Sequence, residues 1–157
     1  MEQIDPGKDA KEVTRYSFGA HFAEVRVHES SGEARVSRYV GAFAAGRILN
    51  AKTARSQLLG GIVWGIGMAL MEQSHLDINF GRFVNADLAE YHVPVNADIP
   101  DMDVFFIEEQ DSQVNPLGVK GIGEIGTVGA SAAIANAVFH ATGRRIRALP
   151  ITPDKLV

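Results

Sequence analysis

The stretch Gly118-Val119-Lys120-Gly121-Ile122-Gly123-Glu124-Ile125-Gly126 runs directly into the apolar segment 127–141. Glycine lets a backbone approach a ligand closely or take φ > 0. A helix start presents unpaired N–H groups and the positive end of the helix dipole. One carboxylate, Glu124, sits among these glycines at the mouth of the apolar run. Two readings fit that spacing. Glu124 complements the dipole while the glycines shape a turn, or it is fixed beside a bound cofactor and placed for proton transfer. Both predict a helix over 125–142. Gly143 stops it, and Arg144, Arg145 and Arg147 suit its negative end. The helix is rich in alanine and apolar nearly all round, which predicts burial.

Working upstream, residues 21–28 alternate. Ala23, Val25 and Val27 lie to one side, Glu24, Arg26 and His28 to the other. Ser30-Ser31-Gly32 is a turn signal, and residues 35–43 form a second strand, so the pair predicts a hairpin. A helix is expected over 53–73, with Leu59, Val63, Ile66 and Leu70 at helical spacing. Gly60, Gly61, Gly65 and Gly67 interrupt it at about 1 kcal/mol each relative to alanine. Such a cost implies close packing against another backbone or a ligand, with Trp64 as an anchor. Residues 77–81 read as a turn and 82–95 as extended chain with room for a helical turn. Val93-Pro94 and Ile99-Pro100 exclude regular helix there. Residues 103–108 read as a strand with both faces covered, and 109–119 as loop. The order β-β-α-β-α predicts a two-layer α+β lobe over 17–157, built from a hairpin, a further strand and two apolar helices. Residues 1–16 are charged and aperiodic and are expected to form a flexible arm.

Composition narrows the classes. The chain has 157 residues, 46% of them hydrophobic and 22% charged, enough to bury one core. A net charge of −4 argues against nucleic-acid and anionic-membrane partners. The absence of cysteine excludes disulfides, Fe–S ligation and thiolate zinc within the chain. The apolar run 58–71 is shorter than the roughly 20 residues that a bilayer needs.

Several motifs fail on inspection. Gly121-Ile122-Gly123-Glu124-Ile125-Gly126 fits G-x-G-x-x-G in form. A dinucleotide fold also needs a preceding strand and an acid about 20 residues on. Asn115-Pro116-Leu117-Gly118 is no strand, and the segment after the helix is rich in arginine. The phosphate loop G-x-x-x-x-G-K-[ST] is absent. His21, His28, His75, His92 and His140 show no metal-ligand spacing and read as structural or solvated. Glu108, Glu109 and Asp111 read as a solvated strand end. Gly46-Arg47-Ile48-Leu49-Asn50 through Gln57 surrounds a helix start, where backbone N–H groups can hold phosphate. Ordinary capping by Thr53 fits the same residues.

Taken together, residues 118–126, Ala132-Ala133-Ile134-Ala135-Asn136-Ala137, His140-Ala141-Thr142-Gly143 and Leu149-Pro150-Ile151-Thr152-Pro153-Asp154 resemble one known pattern. It is the C-terminal end of the molybdenum-binding subunit of the xanthine dehydrogenase/aldehyde oxidase family, most of all the bacterial aldehyde oxidoreductases built from separate subunits. The resemblance continues through Gly46-Arg47-Ile48-Leu49-Asn50, Gln57, Gly60-Gly61, Gly65, Gly67-Met68-Ala69-Leu70 and Asn85-Ala86-Asp87-Leu88-Ala89-Glu90-Tyr91-His92-Val93-Pro94.

The resemblance implies a molybdenum hydroxylase acting on aldehydes or N-heterocycles such as xanthine. In that family a Mo-bound hydroxyl attacks the substrate carbon and hydride passes to a sulfido ligand. The metal is held by a pterin cofactor rather than by side chains. Glu124 takes the place of the general base. Lys120, Gly121, Ile122 and Gly123 would line the cofactor through their backbone, and Asn50, Thr53 and Gln57 would contact it. Ser56 departs from the glycine of many relatives. The bacterial likeness implies the cytosine dinucleotide form, with Fe–S clusters and FAD on partner subunits and a cytoplasmic location, or a periplasmic one if exported with a partner. The family's subunit is several times longer, and its other cofactor loops and substrate-orienting arginine have no counterpart here. The expectation is a C-terminal lobe that is inactive alone and self-associates when isolated. A free-standing binding or assembly module of the same fold is the alternative.

Overall fold

The computed structural model describes residues 12–157. The expected arm over 1–16 therefore falls largely outside the described residues. Strands β1 (Phe18–Val27) and β2 (Ala34–Ala44) form the predicted antiparallel hairpin, running from Phe18 opposite Ala44 to Val27 opposite Ala34. Gly32 takes φ 71° in the connection, and its N–H donates to the His28 carbonyl at 2.8 Å. His21, Ala23, Val25 and Val27 are the half-buried positions of β1, so the period of two holds and includes His21.

Helix α1 (Ala51–Leu70) starts and ends earlier than expected. Asn50, not Thr53, is its cap: its Oδ1 accepts from the amides of Lys52 and Thr53, both at 3.1 Å. A small hairpin, β3 (Leu76–Asp77) and β4 (Arg82–Phe83), encloses the predicted turn at 77–81. Strand β5 (Asp101–Phe106) pairs parallel to β2, giving the order β1-β2-β5. Parallel neighbours need a long crossover, and α1 lies within it. Helices α2 (Ile125–Val128) and α3 (Ala130–Thr142) follow, and a short 3-10 turn, Pro153–Lys155, comes last.

The helices cover one face of the sheet, which makes the predicted two-layer α+β lobe. Tyr39 and Phe43 of β2, Leu58, Ile62 and Ile66 of α1, and Ile134 and Val138 of α3 are the largest fully buried side chains. Each such aliphatic side chain contributes about 1.5–3 kcal/mol when removed from water.

Four expectations are corrected. The buried stripe of α1 runs through Ala54, Leu58, Ile62, Ile66 and Ala69, not Leu59, Val63 and Leu70. The contact glycines set that rotation: a Cβ at Gly65 would collide with Ala130, and one at Gly61 would stand 3.0 Å from the Gly126 carbonyl carbon. Trp64, on the opposite side, is 72% exposed and anchors nothing among the described residues. The single helix expected over 125–142 is broken at Gly129, and α3 buries only Ala130, Ile134 and Val138. Small alanines suit a close helix–sheet contact without requiring burial all round. Strand β5 is covered on one face only, because no described element lies over Phe105, which is 54% exposed.

Candidate functional site

Two loops converge where the sheet meets the helix starts. Gly46 and Val119 form an isolated antiparallel bridge, and the Arg47 amide donates to the Gly118 carbonyl at 2.7 Å. Gly118 takes φ 67° to make this approach. Lys120 fastens the junction. Its side chain is only 6% exposed, with Nζ 2.5 Å from Glu109 Oε1 and 3.0 Å from Asp111 Oδ2. Glu109 Oε2 also accepts from the Gly46 amide at 2.8 Å. The hydrogen bond from Lys120, then that from Gly46, holds the Glu109 carboxyl below its ordinary range. Lys120 likewise lowers Asp111, and Glu109 above all raises Lys120. These acids are thus a clamp, not the solvated strand end expected. Two acids one residue apart in a loop, with a lone lysine among glycines nearby, were the available signal.

Beyond the clamp, Lys120-Gly121-Ile122-Gly123 leads to Glu124. Among the described residues, none accepts from the amides of Gly121, Ile122 or Gly123. A Cβ at Gly121 or Gly123 would meet nothing within 4 Å. Ser17 Oγ donates to the Gly121 carbonyl at 2.7 Å and holds this backbone on its other side. Glu124 is exposed and precedes α2 without capping it. It lines an open concavity of about 570 Å³ with Ser17, Phe18, His21, Gly121, Gly123 and Val128. The dipole assigned to Glu124 from sequence is reduced to that of a four-residue turn.

His21 faces the same concavity. Its Nδ1 lies 2.8 Å from the Tyr39 hydroxyl, and Phe43 meets its ring edge-on at 5.1 Å. Burial lowers its pKa, an effect partly offset by the nearby Ile125 backbone. Burial also pushes the Tyr39 phenol well above its usual value.

Asn50, Thr53 and Gln57 lie exposed along one side of the first half of α1. Asn50 Oδ1 is engaged in the cap, and Thr53 Oγ1 donates to the Asn50 carbonyl at 3.3 Å. No contact joins these three to Glu124. The two segments meet through the Gly46–Val119 bridge and through Leu58 packed on Gly126. A second open concavity, about 580 Å³, lies between the Gly46–Ile48 and Phe106–Ser112 segments and contains no predicted site residue. No cluster of side chains able to hold a metal ion occurs among the described residues.

The arrangement suits an anionic or polar ligand held by free amides, with one exposed carboxylate beside it able to take a proton. A pterin cofactor fits that description, since the open space over Gly121 and Gly123 leaves their backbone accessible.

Comparison with known proteins gives the same direction. Residues 2–100 match the family model described as the molybdopterin cofactor-binding domain. The chain is 52% identical over 156 residues to the aldehyde oxidoreductase molybdenum-binding subunit PaoC of Escherichia coli (strain K12), covering 99% of this chain and 21% of that protein. It is 35% identical over 140 residues to the xanthine dehydrogenase molybdenum-binding subunit of Escherichia coli O157:H7, covering 89% and 18%. The aldehyde oxidoreductase of Desulfovibrio desulfuricans ATCC 27774 superposes with a TM-score of 0.81 at 30% identity, over 89% of this chain and 15% of that one. Quinoline 2-oxidoreductase from Pseudomonas putida 86 gives 0.79 at 31%, over 87% and 18%. The chain thus spans about a fifth of the length of its curated relatives. It belongs to the molybdopterin cofactor-binding domain family of aldehyde oxidoreductase and xanthine dehydrogenase molybdenum-binding subunits.

Proposed function

We propose that this chain is the C-terminal lobe of a molybdenum hydroxylase that oxidises aldehydes or N-heterocycles such as purines. The observation that carries the reading is Glu124 at the rim of an open concavity, immediately after a backbone whose amides have no partner among the described residues. When bound, the cofactor supplies the redox centre at which the substrate is oxidised. The chain's own residues do the rest. The amides of Gly121, Ile122 and Gly123 hold polar atoms of the pterin. Lys120 contributes through its main chain, because its ammonium is committed to Glu109 and Asp111. Asn50, Thr53 and Gln57 offer polar groups toward the dinucleotide, in the cytosine form by the bacterial likeness. Glu124 accepts the proton released at the reacting oxygen, a role that requires hydrogen-bond reach of that proton.

The remainder of a longer subunit, an Fe–S subunit and an FAD subunit complete the electron path in this reading, in the cytoplasm. No described helix is long and apolar enough to cross a membrane. Replacing Glu124 by glutamine in the complete enzyme tests the assignment: cofactor content should persist while turnover falls.

A further inference from the structure

Strands β2 and β5 run parallel, so both leave the sheet at the same end and their following loops emerge side by side. Gly46 lies just beyond Ala44, the last residue of β2. Glu109 lies just beyond Phe106, the last of β5, where the Ile107 amide still donates to the Phe43 carbonyl at 2.7 Å. The Glu109 carboxylate thereby reaches two chain segments at once. Oε2 accepts from the Gly46 amide at 2.8 Å, and Oε1 accepts from the Lys120 ammonium at 2.5 Å. Among the described residues, no other side chain hydrogen-bonds to both Gly46 and Lys120.

Asp111 is its neighbour but not its equal. Asp111 Oδ2 meets Lys120 Nζ at 3.0 Å, while Oδ1 accepts from the amides of Gln113 and Val114 inside its own loop. Loss of either charge leaves the Lys120 ammonium paired with the other acid. The part that Glu109 alone plays is the link to Gly46. That link spans a tight junction: Gly46 takes φ 65°, and a Cβ there would stand 2.3 Å from the Gly118 carbonyl oxygen. From this junction the chain runs four residues from Gly46 to Asn50 and four from Lys120 to Glu124.

We propose that Glu109 is the positioning residue for the cofactor-facing edge: its carboxylate fixes the spacing between the Gly46–Gln57 and Lys120–Glu124 segments, so that one cofactor engages both. The inference rests on the reading of these two segments as cofactor contacts. The Arg47 amide, which donates to the Gly118 carbonyl at 2.7 Å, reports on the junction. In the 157-residue chain its hydrogen exchange should quicken about tenfold in Glu109→Gln, because a glutamine amide offers a single acceptor oxygen where two donors must be met. Asp111→Asn, which also removes one charge beside Lys120, should leave that exchange near wild type. In the complete enzyme, molybdenum content measured by elemental analysis should fall severalfold in Glu109→Gln and persist in Asp111→Asn at a matched melting temperature. A merely structural role would move the two variants together. The unmodified chain gives a separate reading: the Gly46 ¹⁵N nucleus should show a coupling across the hydrogen bond to the Glu109 side-chain carboxyl carbon, whether or not a variant folds. Absence of that coupling, equal exchange in the two variants, or full molybdenum content in Glu109→Gln overturns the proposal. An unmodified complete enzyme that carries no molybdenum overturns instead the cofactor reading, and this inference with it, while coupling and exchange keep their expected pattern.

Discussion

A methyl group added to Gly126 would stand 2.6 Å from the carbonyl oxygen of Leu58. The turn that follows Glu124 is therefore pressed directly onto the backbone of α1, and the position of the carboxylate is tied to that contact. Gly126→Ala should destabilise the lobe by about 1–3 kcal/mol, the usual cost of overpacking, as read from urea unfolding. Gly123→Ala is the control. Its Cβ meets open space and its φ is not positive, so its effect should stay within about 0.5 kcal/mol. Equal effects from the two substitutions would show that the α1–α2 contact is looser than described.

The Lys120 clamp gives a pH signature. Glu109 and Asp111 have lowered folded-state pKa values, with the Lys120 hydrogen bond as the leading cause of each. Their contribution is present above the unfolded carboxylate pKa of about 4 and is lost as pH falls through the folded values. Lys120 is raised, chiefly by Glu109. Its contribution is complete below about 10.4 and is lost as pH rises through the folded value. Lys120→Met should lower the urea midpoint at neutral pH, and the gap from wild type should narrow toward both extremes. A gap independent of pH would mean that the loss is one of packing alone.

Glu124→Gln in the complete enzyme should cut turnover by about 10²–10⁴-fold, the range for a general base. Molybdenum content and the melting temperature should not change. Near wild-type turnover at full metal loading would remove Glu124 from the chemistry.

The 157-residue chain alone should bind no stoichiometric molybdenum and oxidise neither aldehydes nor purines, since it spans about a fifth of the length of its relatives. Elemental analysis finding one metal per chain, with dye-linked oxidation, would establish a self-sufficient centre.

Self-association should occur through the sheet. Phe22 and Phe105 lie on the face that the helices leave bare, at 63% and 54% exposure, with Ile107 at 52%. Apolar patches of this kind mark interaction surfaces. Light scattering at micromolar concentration should show dimers or larger species, and Phe22→Glu with Phe105→Glu should return the chain to monomer. A wild-type chain that is already monomeric and binds no hydrophobic dye would oppose this.

The hairpin, the main helix and the order of elements were legible because their signals are local. Alternation places Ala23, Val25 and Val27 together, and Gly32 marks the turn. What escaped depends on partners distant in sequence. The facing of α1 is decided by Gly65 against Ala130, 65 positions away. At the break, Gly129 lies so close to the His21 ring that a side chain there would collide with it. Glu109 and Asp111 look like solvated charges until the loop closes over Lys120. At the site, the Gly118–Glu124 run was readable from composition, whereas His21 and Ser17 enter it only through the fold.

The sequestered ammonium of Lys120 makes this lysine a built-in reporter. Its amine sits behind two carboxylates with 6% of the side chain accessible, whereas Lys52 is exposed on the first turn of α1. An amine-modifying reagent at neutral pH would therefore label Lys52 quickly and reach Lys120 only when the two loops part. The ratio of the two adducts, read by mass spectrometry, would track the parting of the Gly46 and Gly118 loops without any engineered probe.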